Sequence, residues 1–216
     1  MSAENDLLDQ DVRIVENTME TFSFPLNFEF KIASLVNDFV AKDSTGKTIG
    51  YVRQKLFKLK EAISVYSNES KQNILYTINA DRVIDYNANY AFTDAGGKNL
   101  GRIGRKGTKS ILKAHYEIFD TDSEMEFLIK EENPWAKFFD FLLSEVPVLG
   151  LFTGYMFNPR YIVTRNGGTQ VARLSKEKSF FGRRFKLDQL SKIEKGEDER
   201  LLLGLMMMSL LERRRG

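Results

Sequence analysis

Six cations, Lys98, Arg102, Arg105, Lys106, Lys109 and Lys113, fall within 16 residues that hold no acid. A second basic cluster, Arg183, Arg184 and Lys186, follows shortly after the aromatics Phe180 and Phe181. Side chains of this kind neutralise phosphate, so both clusters are candidates for contact with an anionic lipid surface or a nucleic acid. The plainer reading is a solvated, Lys-rich strand edge that discourages sheet-to-sheet pairing.

Other constellations carry less chemistry. Gly101, Gly104 and Gly107 sit in GRIGRKGTKS, but no Lys directly follows the last Gly, so the backbone cradle of a phosphate loop lacks its cation. Asp120, Asp122, Glu124 and Glu131 have the spacing of calcium ligands, yet Met125 stands where the loop needs Gly and the flanks read as strands. The segment reads as a solvated turn. There is no GxSxG elbow, HExxH pair or kinase signature. With no Cys and only His115 among histidines, thiolate and histidine-based sites have no residues to build them. The sequence therefore supports neither an enzyme nor a cofactor or metal requirement, and His115 reads as a partly exposed sheet residue.

The elements that must position these residues are written as a hairpin repeated three times. FVAKDSTGKTIGYVRQK from Phe39, YAFTDAGGKNLGRIGRK from Tyr90 and YIVTRNGGTQVARLSKE from Tyr161 align without a gap. Each opens on an aromatic, reaches a turn glycine (Gly46, Gly97, Gly168) and resumes with an aliphatic (Ile49, Leu100, Val171). Such a Gly supplies the positive φ of a short hairpin loop, and alternation on both flanks gives each strand one buried face. A small residue follows the aliphatic (Gly50, Gly101, Ala172), where a bulky side chain would obstruct a close neighbour. Further strands are expected within residues 56–66, 74–86, 115–131 and 179–187. A sheet of about twelve strands curls or splits, and closure removes its exposed edges.

Between residues 201 and 211 only Gly204 and Ser209 interrupt a run of Leu and Met. A helix apolar on every face must be buried all round, and in an all-β chain its natural place is the barrel axis. Glu197, Asp198 and Glu199 precede this run and Arg213, Arg214 and Arg215 follow it, each sign matching its end of the helix dipole. The run has 11 residues, about half of the ~20 needed to cross a membrane. Met206, Met207 and Met208 are expected to be core fillers. A second, amphipathic helix is expected over 134–146, with Trp135, Phe138, Phe139, Leu142, Leu143 and Val146 on one stripe. That stripe seals a barrel end, or Trp135 and Phe138 seat in a membrane interface.

The chain of 216 residues, 42% hydrophobic and 29% charged with a net charge of +2, fits one large domain. Residues 1–24 form an acidic N-terminal arm and 25–216 the barrel domain. The arm carries Glu4, Asp6, Asp9, Asp11, Glu16 and Glu20 against Arg13, the opposite of a signal peptide, so a cytoplasmic location is expected.

The hairpin repeat, the stretch LFKLKEAISVYS at 56–67 and the final apolar helix together resemble the LURP-one-related family, which is grouped with tubby-like proteins and phospholipid scramblases. The likeness runs from about Phe28 onward. It implies a mainly β, closed antiparallel barrel of twelve strands around a buried C-terminal helix. For tubby-like relatives it implies phosphoinositide binding at a basic surface, and for scramblases calcium-dependent lipid movement. The chain departs from scramblases in having no Cys and an acidic N-terminus.

Two readings of function follow. The first is a non-enzymatic module, peripheral to the membrane, that binds anionic headgroups through Arg102, Arg105, Lys106, Lys109, Lys113, Arg183 and Arg184, with Trp135 and Phe138 touching the membrane. The second is a soluble scaffold or regulatory protein that contacts a protein or nucleic acid. Oligomeric state leaves no mark in the sequence.

Overall fold

The computed structural model of the chain describes residues 22–31, 38–55, 62–81, 88–105, 115–132, 159–177 and 184–213. Twelve strands appear in order: β1 (Leu26–Phe30), β2 (Asp38–Lys42), β3 (Thr48–Lys55), β4 (Ala62–Tyr66), β5 (Ile74–Ala80), β6 (Asn89–Asp94), β7 (Asn99–Arg105), β8 (His115–Phe119), β9 (Met125–Glu131), β10 (Arg160–Arg165), β11 (Gln170–Glu177) and β12 (Arg184–Gln189). One helix among the described residues, α1 (Glu197–Arg213), follows them. Each strand pairs antiparallel with its sequence neighbours, and β1 pairs with β12, so the sheet closes into a barrel without an edge.

The three repeated hairpins are β2–β3, β6–β7 and β10–β11, and they share one register. Ala41 faces Gly50, Phe92 faces Gly101 and Val163 faces Ala172, with a bulge one residue nearer the turn in each case. In all three turns the residue that opens the turn donates its N–H to the carbonyl of the residue four later, and the turn glycine donates back to it at positive φ. This is the pattern of a type I turn closed by a left-handed residue. The β8–β9 turn is built alike, with Ser123 at φ 69 in the glycine's place. Asp43, Asp94 and Asp120 open three of these turns, and each Oδ1 accepts backbone N–H groups of its own loop, at 2.8 to 3.0 Å. Two of the small residues after the bulge are explained by close approach: a Cβ on Gly101 would lie 2.3 Å from the Phe119 carbonyl oxygen, and one on Gly50 would lie 3.3 Å from Val65 Cγ1.

Closure depends on a strand that the sequence reading left unassigned. β1 bridges β12 and β2, with Phe28 opposite both Phe185 and Ala41. Its alternating Leu26, Phe28 and Phe30 face inward, and Phe30 packs tilted against Phe39 and edge-on against Phe185 at centroid separations of 4.7 and 5.9 Å. The period-two pattern LNFEF is the signal that identifies it.

α1 runs through the lumen. Residues 201–210 are all buried, and the helix lies nearest β7 and β8. It starts four residues earlier than the apolar run, because the acids expected ahead of it form its first turn. Glu194 caps that turn: its carbonyl accepts from the Glu197 N–H at 3.1 Å while Glu197 Oε2 accepts from the Glu194 N–H at 2.9 Å. The predicted helix over 134–146 lies outside the described residues.

Antiparallel closure gives the barrel two unlike ends. Five short hairpin turns, 43–47, 67–73, 94–98, 120–124 and 165–169, gather at one end together with the β12-to-α1 connection and the helix start. At the other end odd strands finish, even strands begin and α1 terminates beside Tyr116 and Tyr161. We call these the turn end and the exit end.

Gly204 permits the helix to lean on β8, since a Cβ there would meet Ile118 Cδ1 at 2.4 Å. Gly204→Ala gains roughly 1 kcal/mol of helix propensity but overpacks the lumen, which typically costs about 1–3 kcal/mol. The expected result is a net lower unfolding midpoint in denaturant; an increase would show that the helix has room to move.

Candidate functional site

β7 divides the long basic run between the two ends of the barrel. Lys98 lies in the turn at 94–98, and Arg102 points outward toward the turn end. Its Nη1 donates to Ser123 Oγ at 2.8 Å, and its guanidinium lies 4.3 Å from the centroid of the Phe119 ring. Arg105 closes β7 at the exit end and shares the lumen-facing parity of Ile103; its guanidinium sits 6.0 Å from the Tyr116 ring centroid. Arg102 and Arg105 therefore stand on opposite faces of one strand. The physical cause is strand periodicity: an odd spacing reverses the face, while each residue advances ~3.3 Å along the barrel.

Arg184 begins β12, also at the exit end, where it is exposed and faces Glu29 and Glu177 across the ladder. Lys186 lies on the same wall and pairs with Asp188 at 2.8 Å, which raises its pKa. Arg160, exposed at the start of β10, is a further exit-end cation. Its signal in the sequence is its place just ahead of the third hairpin repeat. Lys106, Lys109, Lys113, Arg183, Trp135 and Phe138 lie outside the described residues.

The turn end carries many acids, interspersed with the cations Lys47, Lys71, Lys98, Lys192 and Lys195. Asp43, Asp94, Asp120, Asp122 and Glu124 sit in its turns, and Glu194, Glu197, Asp198 and Glu199 surround the start of α1. Several are committed to structure. In the turn at 165–169 Arg165 stands where the turns at 43–47, 94–98 and 120–124 have Asp, and it reaches over the helix start. Its Nε and Nη2 donate to Glu197 at 3.1 and 2.6 Å, and Nη2 also donates to the Lys192 carbonyl at 3.1 Å. Arg200 returns a donor from α1 to Glu126 of β9 at 2.7 Å, and Tyr76 donates to Glu199. Burial alone would raise the pKa of Glu197, but the bonds from Arg165 and the backbone outweigh it and hold the carboxyl below its ordinary value.

At the exit end a different group secures the helix. Glu212 is buried, and its carboxylate accepts from the Tyr116 hydroxyl at 2.7 Å and the Tyr161 hydroxyl at 3.4 Å. Glu131, buried on β9, lies directly opposite Tyr161 in the ladder. Burial first, then the Glu212 carboxylate, pushes the Tyr161 phenol above the ordinary tyrosine range, so it remains a donor. Sequence reasoning missed this cluster because a carboxylate at a helix C-terminus opposes the dipole, and only the two phenols make the position tenable.

On the outer wall, Val40, Tyr51 and Tyr66 form a small satellite cluster. Tyr51 donates to the buried Asp38, and the ammoniums of Lys31 and Lys71 lie 5.2 and 5.3 Å from the centroid of its ring. Burial, then the bond to Asp38, raises the Tyr51 phenol above its ordinary range.

The lumen is filled: Leu203, Leu205, Met206, Met207 and Met208 are fully buried against inward strand residues. Among the described residues no group of three or more His, Cys, Asp or Glu could hold a metal ion, and no helix is long and apolar enough to cross a membrane. A shallow recess of about 390 Å³ at Gln189, Leu190, Ser191 and Lys192 lies at the turn end. A family model described as LURP-one-related matches residues 48–209, from the start of β3 into α1. Comparisons with curated proteins and with solved structures found no match.

Two titrations follow from this geometry. The Glu197 pKa is depressed in the folded state, so its stabilisation is present above the ordinary value of 4.5 and is lost as pH falls below it. Unfolding midpoints measured across acidic pH should fall steeply below that value, and Arg165→Met should flatten the dependence. Tyr51 and Tyr161 have raised values, so their contribution is intact below the ordinary phenol pKa of about 10 and is lost as pH rises above it. Ultraviolet titration should show both phenols ionising only as the protein unfolds; free ionisation of every tyrosine near pH 10 would contradict the burial.

Proposed function

The chain belongs to the LURP-one-related family, and we propose that it is a non-enzymatic module whose exit end binds anionic phospholipid headgroups. The observation that supports this reading is the placing of three arginines at one rim. Arg105, Arg160 and Arg184 stand at strand ends where α1 terminates, and the exposed Arg160 and Arg184 lie open to a surface brought against that end. Cations so placed attract an anionic surface, and the acids Asp38, Glu132 and Glu177 at the same end moderate that attraction.

In the sequence, Lys106, Lys109 and Lys113 lie between β7 and β8, Arg183 precedes Arg184, and Trp135 and Phe138 occur between β9 and β10. Basic residues supply the electrostatic attraction, and the aromatics add an interfacial anchor. Arg102 is not part of the site, since it points to the other end. With the lumen filled by α1, the ligand meets the outside of the barrel and no internal pocket is required.

The test is sedimentation with vesicles containing phosphatidylserine or a phosphoinositide, at low and at physiological salt. Each rim cation is worth about 1 kcal/mol at such a surface. Arg105→Gln with Arg184→Gln should therefore weaken binding about 30-fold, while Arg102→Gln leaves it unchanged. No binding by the wild-type chain at low salt, or an equal loss in the Arg102 variant, overturns the reading.

A further inference from the structure

The β10–β11 turn holds the one Asn-Gly pair of the sequence, Asn166 followed by Gly167. Asn166, Gly167, Gly168 and Thr169 are all exposed. Backbone bonds close the turn around the pair. The Arg165 N–H donates to the Thr169 carbonyl and the Gly168 N–H to the Arg165 carbonyl, each at 2.8 Å, while the Asn166 N–H donates to the Glu126 carbonyl of β9 at 3.0 Å. The N–H of Gly167 meets no acceptor among the described residues.

That open N–H departs from two turns built alike. At the equivalent places the N–H groups of Thr45 and Asp122 donate to Oδ1 of Asp43 and Asp120, each at 2.9 Å. In the turn at 165–169 Arg165 takes the place of the aspartate, and its guanidinium is turned to Glu197. Nor does the turn need a glycine at 167. The left-handed residue is Gly168, at φ 89, whereas a Cβ on Gly167 would meet nothing within 4 Å, and the first hairpin carries Thr45 at this position.

Glycine after asparagine is the arrangement in which a main-chain nitrogen most readily reaches the side-chain amide, because no Cβ obstructs it and either peptide orientation is allowed. We propose that Asn166 is a site of spontaneous deamidation. Hydroxide removes the Gly167 amide proton, the nitrogen attacks Asn166 Cγ, and a cyclic imide closes as the Cγ–Nδ2 bond breaks. Ammonia leaves, taking a proton from water and so regenerating hydroxide. Water then opens the imide without any change of oxidation state. Addition at Cγ restores the main chain and leaves aspartate. Addition at the main-chain carbonyl carbon of residue 166 leaves isoaspartate, whose chain runs through Cβ and Cγ and is one atom longer. Either product sets a carboxylate beside Arg165, which holds Glu197 at the start of α1. The modification therefore bears on the turn-end fastening of the core helix and does not rest on the headgroup-binding reading.

The full chain, held in mildly alkaline buffer at physiological temperature, is digested and its peptides are read by mass spectrometry against an unincubated sample. Asn166 should convert about tenfold faster than any other asparagine, since every other one is followed by a residue with a Cβ. Isoaspartate should be the larger share, detected by enzymatic methylation of its free α-carboxylate. Direct hydrolysis of the amide yields aspartate alone, and that result overturns ring closure. Gly167→Ala fits the turn and should slow conversion about tenfold without lowering the unfolding midpoint. An Ala variant that converts as fast as the wild type, or an Asn166 that reacts no faster than the other asparagines, overturns the proposal. The isoaspartate-containing fraction should unfold at a lower denaturant concentration than the unmodified chain; an equal midpoint overturns the link to the helix start.

Discussion

Ten consecutive buried positions, 201–210, leave α1 no face to offer to water. A surface helix needs one polar stripe, and a helix without one must be surrounded. A flat sheet covers one side of such a helix. A closed sheet covers every side and at the same time pairs all its own edge strands, so both demands are met by one barrel. The fit is set by small residues. Gly204 lets the helix lean on Ile118, and Gly50 lets β3 approach the Val65 side chain closely.

Burying an apolar rod solves its sides and leaves its ends. Each end of α1 carries unsatisfied backbone groups and meets polar solvent, and the barrel secures the two by different means. At the turn end the bonds are charge-assisted: Arg165 with Glu197, and Arg200 with Glu126. These are partly exposed and their strength falls with acid and with salt. At the exit end the contacts are phenol-to-carboxylate and deeply buried. Leaving one such partner unmatched is costly there, so this end is held by hydrogen bonding rather than by charge pairing.

The same axial arrangement sorts the surface charges. Acids suit the start of a helix and short turns, where carboxylates accept the loop's own N–H groups, as Asp43 and Asp120 do. Several therefore collect at the turn end for structural reasons. At the exit end Arg105, Arg160 and Arg184 stand at strand ends, alongside the acids Asp38, Glu131 and Glu177 that begin or end neighbouring strands. A functional surface at the exit end thus costs the fold little, because the turn end carries the hairpin turns and the start of the helix.

Much of the architecture was legible in the residues themselves. Period-two alternation, a turn glycine at a constant offset and a helix with no polar face are local signals, so the three hairpins and the buried helix could be read from them. β1 was missed only because five alternating residues carry little weight alone. The site was less legible, and the reason is geometric. The run from Lys98 to Lys113 is continuous in sequence, but a strand reverses its facing every residue and spans the barrel, so Arg102 and Arg105 part company. Conversely, Arg105, Arg160 and Arg184 are far apart in the chain and share one rim only because odd strands end where even strands begin. Residue types and periods, which are local, determined the elements; which charges share a surface, and which carboxylate turns inward to two tyrosines, depended on closure of the sheet and was decided by the tertiary structure.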